Sequence, residues 1–237
     1  MTKPEWMVCS RPDLMLQQSF RASARKRRLF ASACCRRFWA ELVDPRSRKA
    51  IEVAEAYADG RTTRKDLSIA QKQAIAAKIA QSASDLACFA AHAVVCACSY
   101  SLRKDLLEVS WSALLINVRE ARGWDLVNPG TRSAVENANI RIAIEREAHT
   151  QVAMIREVFG NPYENVIVER AWLEWNGNAV TKLAQRIYNS NRFVKMPTLA
   201  DKMEEAGCAD VGILAHCRNA AEHFRGCWVI DTVLGQT

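Results

Sequence analysis

Glycine and proline are scarce in this chain of 237 residues, which has nine of the first and six of the second. Neither occurs between 61 and 122, nor between 131 and 159. Strands rarely run so far without turn residues, so both stretches predict helix. Alanine, the strongest helix former, is frequent in them. Alternating runs rich in Val, Ile and Thr are missing too, apart from one short extended piece expected at 165–168. The fold class expected is all-α. Long apolar runs are likewise absent: the best candidate, 86–100, is too short and too rich in Ala and Cys to span a bilayer. The first residues are polar and mixed, with no apolar leader segment.

Composition excludes disorder and low complexity, since 49% of residues are apolar and 25% charged. The nine cysteines do not read as a disulfide framework. Cys34 adjoins Cys35 and Cys96 nearly adjoins Cys98, and neighbouring cysteines rarely meet disulfide geometry with each other. Free thiols serving as small hydrophobes in a reducing cytoplasm account for them better.

The formal charge of +7 is unevenly placed: residues 1–50 hold twelve Lys/Arg against four Asp/Glu, and the remainder is close to neutral. This is a basic arm on a neutral body rather than a globally basic protein. A first helix is expected over 22–42, with Phe30, Cys34, Phe38 and Leu42 forming one apolar stripe beside Ala31 and Cys35. Arg25, Arg28 and Arg36 then fall on the opposite side, around Ser32. Together with Arg21, Lys26, Arg27 and Arg37 they form a candidate nucleic-acid surface, because such binding needs several cations tracking phosphates. The competing reading is a solvated helix face. The nearby aromatics Phe30, Phe38 and Trp39 sit at core spacing rather than stacking spacing.

Punctuation places the other elements. Asp44-Pro45 is a helix start that runs to Ala58 and stops at Gly60. Breaks are expected at 82–84 and 99–101, where Ser competes for backbone partners, and a turn at Asn128-Pro129-Gly130. A helix over 132–158 ends at Gly160-Asn161-Pro162. This yields an N-terminal bundle of long Ala-rich helices, 1–159, and a C-terminal module of short helices, 160–237. The short helices are expected near 178–188, 198–206, 210–218 and 227–234. Trp172 and Trp175 are the candidates for an exposed aromatic patch that binds another protein.

One cluster carries ligand chemistry. Cys208, His216, Cys217, His223 and Cys227 follow the spacing C-x7-H-C-x5-H-x3-C, and thiolate and imidazole are the ligands of tetrahedral zinc. His216, His223 and Cys227 are the best ligands, with Cys208 or Cys217 completing the set. No C-x2-C knuckle is present, and His216 and Cys217 point about 100° apart on a helix. The competing reading therefore makes the two histidines helix caps and the cysteines core. Cys34-Cys35, flanked by Arg36 and Arg37, could be a low-pKa thiol pair, but its place on the apolar stripe favours core. Glu145, Glu147 and His149 share a helix without any Glu-x-x-His motif, and are expected on a solvated face. Phosphate-cradling glycine loops and a Ser/His/Asp order are absent.

The segments RLFASACCRR (28–37), FGNPY (159–163), WLEWNG (172–177), LAQRIY (183–188), EAGC (205–208), ILAHCR (213–218) and HFRGCWVID (223–231) form a recurring set. On these the chain resembles an uncharacterised group of bacterial proteins, sometimes loosely labelled SMI1/KNR4-like. The resemblance covers the first 60 residues and nearly all of 156–237, and it implies no particular activity. The sequence reading that results is a soluble cytoplasmic binding or regulatory subunit, acting on another protein without catalysis, cofactor or membrane. One alternative is a nucleic-acid-binding component of a bacterial ribonucleoprotein or defence complex. A second is a zinc-dependent enzyme or zinc-stabilised module.

Overall fold

The computed structural model describes residues 1–18, 22–80, 85–122, 134–164, 166–219 and 222–236, and among these every regular element is helical. The fold is all-α. By its contacts the chain divides into Lys3–Ile155, with Met1, and Arg156–Thr237, with Thr2. That division falls inside a helix, about one turn before the glycine at which punctuation placed it. Among the described residues no helix is long and apolar enough to cross a membrane.

In the first unit α1 (Lys3–Val8) and α2 (Pro12–Gln18) precede α3 (Ala24–Arg37), and neither was expected from the sequence. Ser23 caps α3 by accepting from the Lys26 N–H. The helix ends at Arg37 rather than Leu42, giving way to a 3₁₀ turn at Trp39–Glu41. Asp44 supplies a reason: the residue before a proline is pushed out of the helical region, and Asp44 is extended at φ −81° and ψ 123°. The chain must leave the helix before it can present that cap to α4 (Pro45–Ala58), where Asp44 Oδ1 accepts from the Arg46 N–H at 2.8 Å. α5 (Arg64–Ala80) starts with a reciprocal box: Thr63 Oγ1 accepts from the Asp66 N–H, and Asp66 from the Thr63 N–H. α6 (Asp85–Ala97) and α7 (Leu102–Arg122) are separated at 98–101, and α8 (Ala134–Phe159) follows. The expected break at 82–84, the turn at Asn128-Pro129-Gly130 and Arg21 lie outside the described residues.

α3 packs against α4, α6 and α7, so it is enclosed on several sides. Every residue from Arg28 to Cys35 is buried. The sequence placed Arg28 and Ser32 on a polar face, and the structure corrects this: Arg28 is 2% exposed and Ser32 1%. Arg28 Nη1 donates to the carbonyls of Ala97 and Ser99, both at 2.9 Å. It thereby caps the C-terminus of α6, where carbonyls lack helical partners and a cation is favoured by the helix dipole. Cys34 and Cys35 are fully buried beside it. Burial pushes the Cys34 thiol up to about 12 despite Arg37, which makes the pair core rather than nucleophile.

In the second unit α9 (Arg170–Ser190) is two helical segments joined by a left-handed turn, with Asn176, Gly177 and Asn178 at φ 46°, 64° and 65°. Asn and Gly are the residues that visit this region at least cost. α10 (Met196–Glu205) packs on α9 and on α11 (Val211–Arg218), and α12 (Trp228–Val233) also packs on both. The core gathers Trp172, Tyr188, Met203, Cys208, Cys217 and Ile230 among others. Residues 166–168, expected as an extended piece, carry no regular structure.

Candidate metal centre

Three segments of the second unit bring side chains to one carboxylate, that of Glu157. Glu157 lies in the last turns of α8, on the face that also buries Met154 and Val158. Gly160 ends that helix at φ +63°, its N–H bonded to the Arg156 carbonyl at 3.0 Å. α11 is started by Asp210, whose Oδ1 accepts from the Ile213 N–H, and it delivers His216. His223 comes from the segment after α11, and Cys227 is the N-cap residue of α12. His223 Nδ1 lies 3.1 Å from both Glu157 oxygens. His216 Nε2 lies 3.2 Å from Glu157 Oε2 and 3.3 Å from Cys227 Sγ. One ligand atom from each of these four residues lies within 4.8 Å of all the others. Ligands around a tetrahedral zinc ion are separated by about 3.3–3.6 Å, given bond lengths of about 2.0–2.3 Å.

The cluster is built around a buried carboxylate. Glu157, His223 and Cys227 are buried, and among the described residues no Lys or Arg reaches the Glu157 carboxylate. Burial holds His216 down to about 4, with Glu157 opposing and His223 assisting, so its ring is neutral near pH 7. Burial, and after it the Glu157 charge, pushes the Cys227 thiol well up. A buried carboxylate without a Lys or Arg partner is costly. A divalent cation would change both conditions, by neutralising the carboxylate and taking the thiol as thiolate.

The sequence-predicted residues sort unevenly. His216, His223 and Cys227 meet, whereas Cys208 and Cys217 belong to the hydrophobic core and do not join them. Burial pushes Cys217 up to about 12. The expectation that the histidines cap helix ends is corrected as well, because their ring nitrogens bond Glu157, Cys227 and Trp228. Glu157 was missed. A carboxylate one residue from Val158 on a buried face was the available signal, since lone acids are rarely buried without a partner.

Elsewhere the candidates are engaged otherwise. Trp172 is 6% exposed and part of the core, which corrects its reading as half of an exposed patch. Trp175 is half-buried, with Lys202 Nζ 5.7 Å from its ring centre. Arg25 reaches Asp59 at 3.3 Å. Arg36 grips Glu55 through two bonds of 2.9 and 2.8 Å and lies over the Trp39 ring. Arg37 grips Glu147 at 2.7 and 2.8 Å. Arg27 donates to the Ala22 carbonyl, and the Lys26 main chain is spent on the Ser23 cap. Glu145 and His149 are exposed as expected, but Glu147 is 1% exposed, which corrects its place on a solvated face.

Gly160 offers a direct test of how tightly the centre is framed. A Cβ there would sit 3.2 Å from Trp228 Cγ, on backbone with positive φ. Gly160→Ala should therefore cost about 1–2 kcal/mol from the left-handed conformation, plus the displacement of Trp228. Thermal unfolding with Trp fluorescence checks it, and a neutral variant would disprove the close approach. No family model matches the chain, and neither the curated proteins nor the solved structures give a significant match.

Proposed function

We propose that the second unit is a zinc-binding module, in which Glu157, His216, His223 and Cys227 enclose one ion, and that the protein serves as a binding or regulatory subunit stabilised by it. The observation that carries this reading is the convergence of three buried or nearly buried side chains, His216, His223 and Cys227, on the Glu157 carboxylate, which no Lys or Arg among the described residues reaches. Thiolate, carboxylate and imidazole are donor types that suit zinc. The partner proposed is another protein. An open groove of about 480 Å³ between α4 and α5, floored by Ala50, Val53, Ile69 and Ala70 and rimmed by Arg46 and Lys49, supports a side-chain docking role. The free thiols suit a reducing cytoplasm.

Metal analysis of protein expressed with added zinc tests the reading. About one zinc per chain is expected, lost in Cys227→Ser and Glu157→Gln, and released on acidification as thiol and imidazole take protons. Removal by chelator should lower the unfolding temperature of the second unit. Metal-free protein whose unfolding ignores both zinc and chelator would refute the proposal.

A further inference from the structure

The cluster is not symmetric about its four side chains, and the difference lies in one hydrogen bond. Trp228 Nε1 donates to His216 Nδ1 at 3.1 Å. An indole nitrogen only donates, so Nδ1 of His216 must present its lone pair. In a neutral imidazole the proton then resides on Nε2, and that nitrogen has no lone pair for a metal. A ligating histidine has the opposite arrangement, with its outer nitrogen protonated and facing an acceptor. Trp228 thus turns His216 into a donor aimed at the centre. His223 carries no such restraint: its Nδ1 meets both Glu157 oxygens, no described residue holds its Nε2 as an acceptor, and the ring proton can therefore move to Nε2 when Nδ1 turns its lone pair to an ion.

We infer that zinc in this site is held by three protein ligands, Glu157, His223 and Cys227, and that the fourth position is exchangeable and binds a small monodentate anion or water beneath the His216 Nε2–H. The inference rests on the zinc reading given above. Three protein ligands with one open position is the arrangement of exchange-competent zinc, in contrast to the closed shells of purely structural sites. His216 is also the most exposed of the four: its side chain keeps 16% of its surface, against 6% for Glu157 and 5% for His223, while Cys227 is fully buried. Trp228, half-buried beside it, holds its ring centre 5.0 Å from that of His216. An anion seated there would receive the Nε2–H as well as the metal bond, so the site favours a ligand that accepts a hydrogen bond.

Cobalt(II) replaces zinc in such sites and reports its coordination in the visible spectrum. The full chain, stripped and reloaded with Co²⁺, should show a thiolate charge-transfer band that disappears in Cys227→Ser. Azide should shift the d–d bands of the parent protein in a saturable way. His216→Ala should keep its cobalt within a few-fold in affinity, because the ring is not a ligand, and should bind azide more weakly. Trp228→Phe removes the indole donor and allows His216 to ligate through Nε2. Its cobalt spectrum should become indifferent to azide, with apparent azide affinity down at least about tenfold, one donor interaction's worth. Circular dichroism confirms that each variant is folded, and His216→Ala decides the question if Trp228→Phe is not. Cobalt bound with a spectrum blind to azide, and lost in His216→Ala, would overturn the three-ligand shell while leaving the zinc reading standing. Failure of the parent protein to bind cobalt or zinc at all would overturn both.

Discussion

Replacing Glu147 with alanine should lower the stability of the first unit by about 3 kcal/mol, the low end of the scale for stripping one partner from a buried ion pair, because the Arg37 side chain keeps 26% of its surface exposed. Glu147 is 1% exposed and accepts four bonds: two from Arg37 at 2.7 and 2.8 Å, one from Asn117 at 3.0 Å and one from Gln151 at 2.8 Å. Gln151 in turn donates to the Ser110 carbonyl at 2.9 Å, so the network ties α3, α7 and α8 together. Truncation leaves a guanidinium and two amides facing a void. The pair itself is not expected to be worth that amount, because desolvation offsets much of its attraction. Arg37→Met combined with Glu147→Leu should therefore recover most of the loss. Urea unfolding checks both, read as a change in midpoint at constant slope. A loss under about 1 kcal/mol in Glu147→Ala, the scale of an exposed pair, would show that water reaches the site.

Arg28→Met should cost about 2–4 kcal/mol, since it orphans the carbonyls of Ala97 and Ser99 at about 1–3 kcal/mol for each buried group left unsatisfied. Arg28→Glu should not fold, because it buries an anion against those same oxygens. Hydrogen exchange over 97–101 in Arg28→Met checks the local part, with faster exchange there than in α4; uniform exchange would contradict the capping role. This changes how a charge-reversal experiment is interpreted. Reversing Arg25, Arg28 and Arg36 together removes contacts to Asp59, Ala97, Ser99 and Glu55, so lost nucleic-acid retention would report unfolding. The salt dependence of binding by the intact chain is the cleaner measure.

Helix ends were legible because their causes are local. Asp44-Pro45, Gly160 and Asp210 each fix a cap within a few residues of themselves. Positions across the fold were less so. Whether Arg37 meets water or Glu147 depends on a partner 110 residues away, and nothing in the RKRR run distinguishes the buried Arg28 from the half-buried Arg27. Periodicity placed Phe30 and Cys34 on the buried side of α3, but Phe38 and Leu42 lie beyond its end, and it could not show that the helix is enclosed on its other sides as well. The candidate metal centre was half legible for the same reason: His216, His223 and Cys227 are close in sequence, while Glu157 comes from 59 residues before the first of them.

That separation bears on how such a chain could be recombined. Gly160 is the natural seam by its turn chemistry, and a gene exchange or an excised fragment beginning there would carry both histidines and the thiol. It would leave the acid behind on the donor. For the four-residue cluster to travel whole, a portable form of the second unit has to start upstream, within α8, at a side chain and not at a loop.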